Sequence, residues 1–165
     1  MTPIVTSAPK TALEISIGRA GSDPDIAALI ALHQAQALAA NTACEGHALP
    51  ASAYDRDPKL TLFILRDGGN LLGICGLSAL SKNQGEIKTL HIREAARGRG
   101  AGRALLSHII TVAQDRGYGK LWLETGTAPY FAAAGHLYKA LGFVDCPPFG
   151  DYQAGPDSRF MALDL

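Results

Sequence analysis

EIKTLHIREAARGRGAGRALL, residues 86–106, reads as a strand, a short turn rich in glycine and arginine, and the start of an amphipathic helix. Gly98, Gly100 and Gly102 leave the turn without Cβ atoms, so backbone amides can close on a ligand. The helix that follows points its first free N–H groups at the same spot, where the helix dipole favours negative charge. Arg97, Arg99 and Arg103 add side-chain donors suited to phosphate oxygens. The stretch is an anion site, and a pyrophosphate fits it best. Two familiar phosphate cradles do not. A Walker loop needs a Lys-Ser or Lys-Thr pair after its last glycine, and none follows here. A dinucleotide fingerprint needs a third glycine where Arg103 stands.

Downstream, Leu105, Leu106, Ile109, Ile110, Val112 and Ala113 form an apolar stripe, with Arg103, Ser107, Thr111 and Gln114 as the polar one. That pattern predicts a helix ending near Arg116-Gly117, where glycine can take the left-handed cap. Lys120 to Glu124 (KLWLE) is the next strand, and a helix-length crossover makes it parallel to the central one. Phe131 to Leu141 predicts a further helix stopped by Gly142. Phe143 opens another strand, and Arg159 to Leu165 (RFMALDL) closes the sheet.

Upstream, Leu60 to Arg66 and Leu71 to Leu80 flank Asp67-Gly68-Gly69-Asn70 as a hairpin, so strands two to four form an antiparallel meander. Gly73 and Gly76 inside the second of these runs mark a bulge or a close backbone approach. Leu13 to Arg19 predicts the first strand. Asp23-Pro24 reads as an N-cap followed by proline at the first helical position, opening a helix to about Ala40. Ile26, Leu29, Ile30, His33 and Ala37 share one face of it, which makes His33 a core or boundary residue. From Asn41 to Pro58 the pattern breaks, apart from a short helix near Ser52 to Arg56. Such an irregular segment often borders a binding site. Cys44 and His47 lie there, but catalytic pairs usually meet from distant segments, so their spacing is no argument for a nucleophile and its base.

Composition narrows the function classes. The 165 residues suit one α/β domain, 1–165, with residues 1–10 as a loose lead-in. Net charge is zero, so no broad basic field invites nucleic acid, and the arginines cluster where a small anion would sit. Cys44, Cys75 and Cys146 are odd in number and lack CxxC spacing, which points to reduced thiols in a cytoplasmic protein and to no metal site. No apolar run approaches the ~20 residues of a membrane span.

Arg97-x-x-Gly100-x-Gly102, preceded by an apolar strand and followed by Ala-Leu-Leu, resembles the acyl-coenzyme A signature of the GNAT N-acyltransferase superfamily. His136-Leu137-Tyr138-Lys139-Ala140-Leu141-Gly142-Phe143 is similar to the L-Y-x-x-x-G-F segment on the helix after the family's fifth strand. WLETG, CPPFGDY and SRFMALDL also look like a branch of small bacterial GNAT enzymes. The resemblance implies a mixed central sheet of about seven strands with about four helices, splayed between strands four and five.

It further implies acetyl transfer from acetyl-CoA to the amine of a small molecule, with Leu90, His91 and Ile92 offering backbone groups to the pantetheine arm. Arg97, Gly98, Arg99, Gly100, Ala101, Gly102 and Arg103 would hold the pyrophosphate. Tyr138 would be the general acid for the leaving thiolate. Glu86, six residues before Ile92, would be the base that strips the ammonium. His47 and Glu124 are further candidates on the acceptor's side, and Asp151 could join the two glutamates against a cation. The sequence departs from the family at Phe131, where many members carry an asparagine that contacts the cofactor arm. Two other readings stay open: a CoA-binding module without turnover, and a protein or peptide N-acetyltransferase. Edge strands and the apolar tail FMALDL are compatible with a homodimer.

Overall fold

A computed structural model describes residues 12–40 and 49–165. The strands are β1 (Leu13–Ile17), β2 (Leu60–Asp67), β3 (Asn70–Ser81), β4 (Gln84–Ile92), β5 (Lys120–Gly126), β6 (Val144–Asp145) and β7 (Ser158–Asp164). The helices are α1 (Pro24–Ala40), α2 (Ala51–Arg56), α3 (Ala101–Asp115) and α4 (Ala132–Ala140). The seven strands make one sheet in the order β1-β2-β3-β4-β5-β7-β6. Only β4 and β5 run parallel, and the other neighbours pair antiparallel.

Local chemistry places the elements. Pro24 opens α1, while Asp23 caps it by accepting the Asp25 amide on Oδ1 (3.0 Å) and the Ala27 amide on its carbonyl (3.2 Å). Asp67 pairs with Asn70 across Gly68-Gly69, the two-residue loop expected of a tight hairpin. Gly117 ends the α3 segment at φ 77°, a left-handed conformation that costs glycine little. The C-terminal third is shifted slightly from expectation. One 3₁₀ turn, Pro129–Phe131, precedes α4, so the helix begins at Ala132. Phe143 stays with the helix end, its amide bonded to the Tyr138 carbonyl at 3.0 Å and its ring buried, so β6 is only two residues long.

The sheet buries both faces. Leu105, Leu106 and Ile109 of α3 pack with Leu77, Leu121 and Leu123 on one side. Ile26, Leu29 and Ile30 of α1 pack with Leu62, Ile64 and Ile74 on the other. Each fully buried aliphatic side chain contributes about 1.5–3 kcal/mol, so both helices are held firmly against the strands. Alternation then decides which residues face the α1 side. Ile87, Leu121 and Leu123 belong to the α3 side, which turns Glu86, Lys88, Trp122 and Glu124 the opposite way.

Two features part β4 from β5. Their ladder runs only from Gln84–Lys120 to Ile87–Leu123, although both strands continue beyond it. Three residues of β3, from Ile74 to Gly76, lie opposite four of β4, from His91 back to Lys88, so β4 carries one extra residue in a β-bulge. Thr89 in that bulge has φ 54°, an outlier for a β-branched residue. Its Oγ1 is hydrogen-bonded with the Tyr54 hydroxyl of α2. The ladder stops at Ile87–Leu123, just before this bulge, and the expected splay between strands four and five is present.

Candidate functional site

The splay opens into a cleft of about 280 Å³. Leu90, His91 and Ile92 line it from β4, and Arg97, Gly98, Gly100, Ala101, Gly102 and Arg103 line it from the turn and the start of α3. Nine of the ten residues expected at a cofactor therefore share one wall system. Arg99 does not, and lines a separate surface hollow with Arg93, Asp25 and Asp67. Gly100 caps α3 at φ 79°, ψ 8°, and a Cβ on it would meet no atom within 4 Å. The first amides of a helix have no partner inside it, so this end offers donors to an anion.

Arg97 is partly engaged within the protein. Its Nε donates to the Ile92 carbonyl at 2.9 Å, and its guanidinium also hydrogen-bonds the Tyr130 hydroxyl. That hydroxyl donates to Gln36 Oε1 of α1 at 2.9 Å. Tyr130 and Phe131 line the far wall with Ala133, Ala134 and Leu137. A Cβ on Gly126 would fall 2.2 Å from the Phe131 ring, so the missing side chain lets this ring lie on the end of β5. His33 completes the lining, and its Nδ1 lies 3.2 Å from Nδ1 of His91. His33 is thus at the α1 boundary, as its helical face implied, and it also borders the cleft.

The α1-side face of the splayed strands carries a second group. Glu86 is 5% exposed. The Tyr152 hydroxyl donates to its Oε1 at 2.5 Å, and Lys88 Nζ lies 3.4 Å from the same oxygen and 3.2 Å from the Tyr152 oxygen. Glu124 accepts from the Ser158 hydroxyl at 3.0 Å. Burial first, and then the Glu86 hydrogen bond with the charges of Glu86 and Glu124, push the Tyr152 phenol up from its ordinary value. The two carboxylates therefore converge on Tyr152, while Asp151 stays exposed on its turn. Phe149, Phe160 and Trp122 surround them, with Phe149 stacked on Trp122 at 5.2 Å.

Tyr138 does not line the cleft. It is 5% exposed, packed edge-on against Phe143 at 5.8 Å. Burial, with Cys75 and the Glu124 carboxylate nearby, raises its phenol, so the hydroxyl is a donor throughout the physiological range. His47 and Cys44 lie outside the described residues. Tyr152, Tyr130 and the His33 ring went unseen as site residues in the sequence. CPPFGDY was the one local signal that could have led to Tyr152.

Residues 26–143 match the sequence model of the acetyltransferase (GNAT) family. The chain is 39% identical over 142 residues to uncharacterized N-acetyltransferase YedL of Escherichia coli (strain K12), covering 86% of this chain and 89% of that protein. A crystal structure of a Klebsiella pneumoniae protein with a proposed acyl-CoA N-acyltransferase activity superposes with a TM-score of 0.75 at 27% identity, covering 94% of this chain and 99% of that one. The fold is shared with a GNAT family acetyltransferase from Elizabethkingia anophelis with acetyl-CoA bound, at a TM-score of 0.65 and 20% identity, covering 93% of this chain and 98% of that one.

Proposed function

The chain belongs to the acetyltransferase (GNAT) family, and from that premise we propose that it transfers acetyl from acetyl-CoA to the amine of a small molecule by direct attack on the thioester. The observation that carries this reading is the cleft, with an open glycine loop at a helix N-terminus at one end and unpaired strand edges at the other. The Elizabethkingia anophelis protein of the same fold carries acetyl-CoA, which supports the choice of donor. The loop amides and Arg103 hold the pyrophosphate, and the backbone of Leu90–Ile92, beyond the reach of the β5 ladder, takes the pantetheine arm.

Acetyl-CoA supplies a thioester carbonyl and a thiolate leaving group, and the protein's task is to move protons around them. An ammonium ion has no lone pair, so Glu86 takes its proton, and the Tyr138 hydroxyl, buried behind the cleft wall beside Leu137, gives one to the sulfur when the thioester displaces that wall. Glu86 and Glu124, gathered about Tyr152 and walled by aromatic rings, suit a cationic acceptor. The protein acts in the cytoplasm. Among the described residues no helix is long and apolar enough to cross a membrane.

Release of free thiol from acetyl-CoA, screened over amino acids, polyamines, aminoglycosides and peptides, tests the assignment. Turnover with at least one small amine is expected. Turnover with peptides alone would replace the acceptor class, and tight acetyl-CoA binding without thiol release on any amine would leave a binding module.

The base has its own test. Glu86→Gln is expected to lower kcat/KM most at low pH, by the roughly 10²–10⁴-fold typical of general base catalysis. At low pH the amine is almost wholly ammonium and needs help losing its proton, whereas at high pH free amine is already present and the defect shrinks. Parallel pH profiles with a lowered melting temperature would make Glu86 structural, an anchor for Tyr152 and Lys88.

A further inference from the structure

Tyr54 does not line the cleft, yet its hydroxyl is hydrogen-bonded with Thr89 Oγ1 just beyond the end of the β4–β5 ladder. The residue is 6% exposed and packs with Leu60, Leu62 and Ile74. Its ring reaches Thr89 by lying on β3 at Gly76, where a Cβ would come within 3.2 Å of Tyr54 Cε1 and 3.3 Å of Leu60 Cδ1. The close backbone approach that Gly76 implies in the sequence is therefore made by this ring. α2, which carries Tyr54, is itself fastened to the loop before α1. The Asp55 carboxylate accepts the Ala20 amide at 3.1 Å and the Gly21 amide at 2.5 Å. Burial pushes the Tyr54 phenol up, so its hydroxyl keeps its proton at physiological pH.

Thr89 is the strained point of the bulge. Its φ of 54° lies in the left-handed region, which a β-branched residue adopts at a cost and glycine adopts freely. The extra residue resets the alternation of side chains along β4. Glu86 and Lys88 face the α1 side before it, so a regular strand would turn position 91 to the α3 side. Instead His91 stands opposite Ile74 of the α1-side core, and its ring meets His33 of α1. Leu90 and Ile92 pack against the α3-side core. The bulge thus fixes the half of β4 that carries Glu86 relative to the half, Leu90–Ile92, that lines the cleft. Strain at Thr89 favours relaxation of this geometry, and the bond from Tyr54 opposes it.

We propose that Tyr54 is a positioning residue for acetyl transfer: by holding Thr89 in the left-handed region it keeps the β4 bulge, and with it the alignment of Glu86 with a thioester bound along Leu90–Ile92. This rests on the acetyltransferase reading given above. Tyr54 acts through Thr89 and touches no reacting atom. Alignment of this kind shows in the rate rather than in affinity, because a displaced base still leaves the cofactor's contacts in place.

Three variants and two readouts test it. Tyr54→Phe keeps the packed ring and loses only the hydroxyl. With acetyl-CoA and the best amine of the thiol-release screen, it is expected to lower kcat by roughly 10- to 100-fold while the Kd for CoA changes less than about twofold. Hydrogen exchange at the backbone amides of residues 88–92 should quicken by about tenfold or more, as the bulge opens locally. Thr89→Ala, which removes the other partner, should repeat both effects. Tyr54→Phe combined with Thr89→Gly should recover most of the lost kcat, because glycine holds φ 54° without the bond. A purely structural tyrosine would lower the melting temperature and leave kcat unchanged well below it. Wild-type kcat in Tyr54→Phe, a loss that Thr89→Gly does not relieve, or an equal loss of CoA affinity would each overturn the proposal. A wild-type protein that turns over no amine removes the acetyl-transfer reading, and the proposal with it. Exchange then still reports on the bond itself, and unchanged rates in Tyr54→Phe would show that it does not hold the bulge.

Discussion

Gly100→Val is expected to abolish the thermal shift that acetyl-CoA gives the wild-type protein. At a 100-fold excess over Kd the ligand contributes about 2.7 kcal/mol, or about 5–10 °C for a chain of this size. Gly100 sits at φ 79°, where a β-branched residue is strained by about 1–2 kcal/mol, so the variant also melts lower without ligand. The comparison is therefore made within each protein, with and without acetyl-CoA. No protein atom lies within 4 Å of a Cβ at this position, so the valine methyls enter the space the cleft leaves for a ligand. Gly102→Val acts differently. Its Cβ would come within 3.1 Å of Leu137 Cδ2, so the valine presses on a side chain that lines the cleft. Unchanged shifts in both variants would remove the pyrophosphate from this loop.

Tyr138→Phe is expected to reduce turnover by roughly 10²–10⁴-fold while acetyl-CoA affinity and melting temperature stay near wild type. The substitution keeps the ring that packs on Phe143 and removes only the hydroxyl. Burial holds that hydroxyl in its protonated form, which is the form a general acid needs. A kcat defect with unchanged Kd places the loss in the chemical step. Wild-type turnover would mean that the thiolate leaves without this proton.

The glycine loop, the α1 cap, the hairpin at Gly68-Gly69 and the α3 stop were legible in the sequence because each is decided by neighbours in the chain. A left-handed glycine, a proline at the first helical position or an apolar stripe acts over a few residues, so its signal survives without the fold. Nine of the ten residues expected at a cofactor line one cleft for the same reason. They form the near-continuous run from Leu90 to Arg103, and only Arg99 turned to another surface. The boundary of β6 was misplaced because the helix-end hydrogen bond from Phe143 to Tyr138 competes with strand pairing for the same backbone.

The polar contacts around the cleft obeyed no such local rule. Tyr152 reaches Glu86 across 66 residues, His33 meets His91 across 58, and Tyr130 meets Gln36 across 94. Each joins elements that only the sheet order and the packing of α1 on the sheet bring together. Those are properties of sheet register, set by two burying faces at once. The sequence by itself determined the family, the glycine turn at the start of α3 and the strand beside it, because close packing and backbone geometry leave their pattern in adjacent residues. Only the tertiary structure decided that Glu86 is bound to Tyr152 and Lys88, and that two histidines face each other in the cleft. Nothing between such residues in the chain encodes their distance in space.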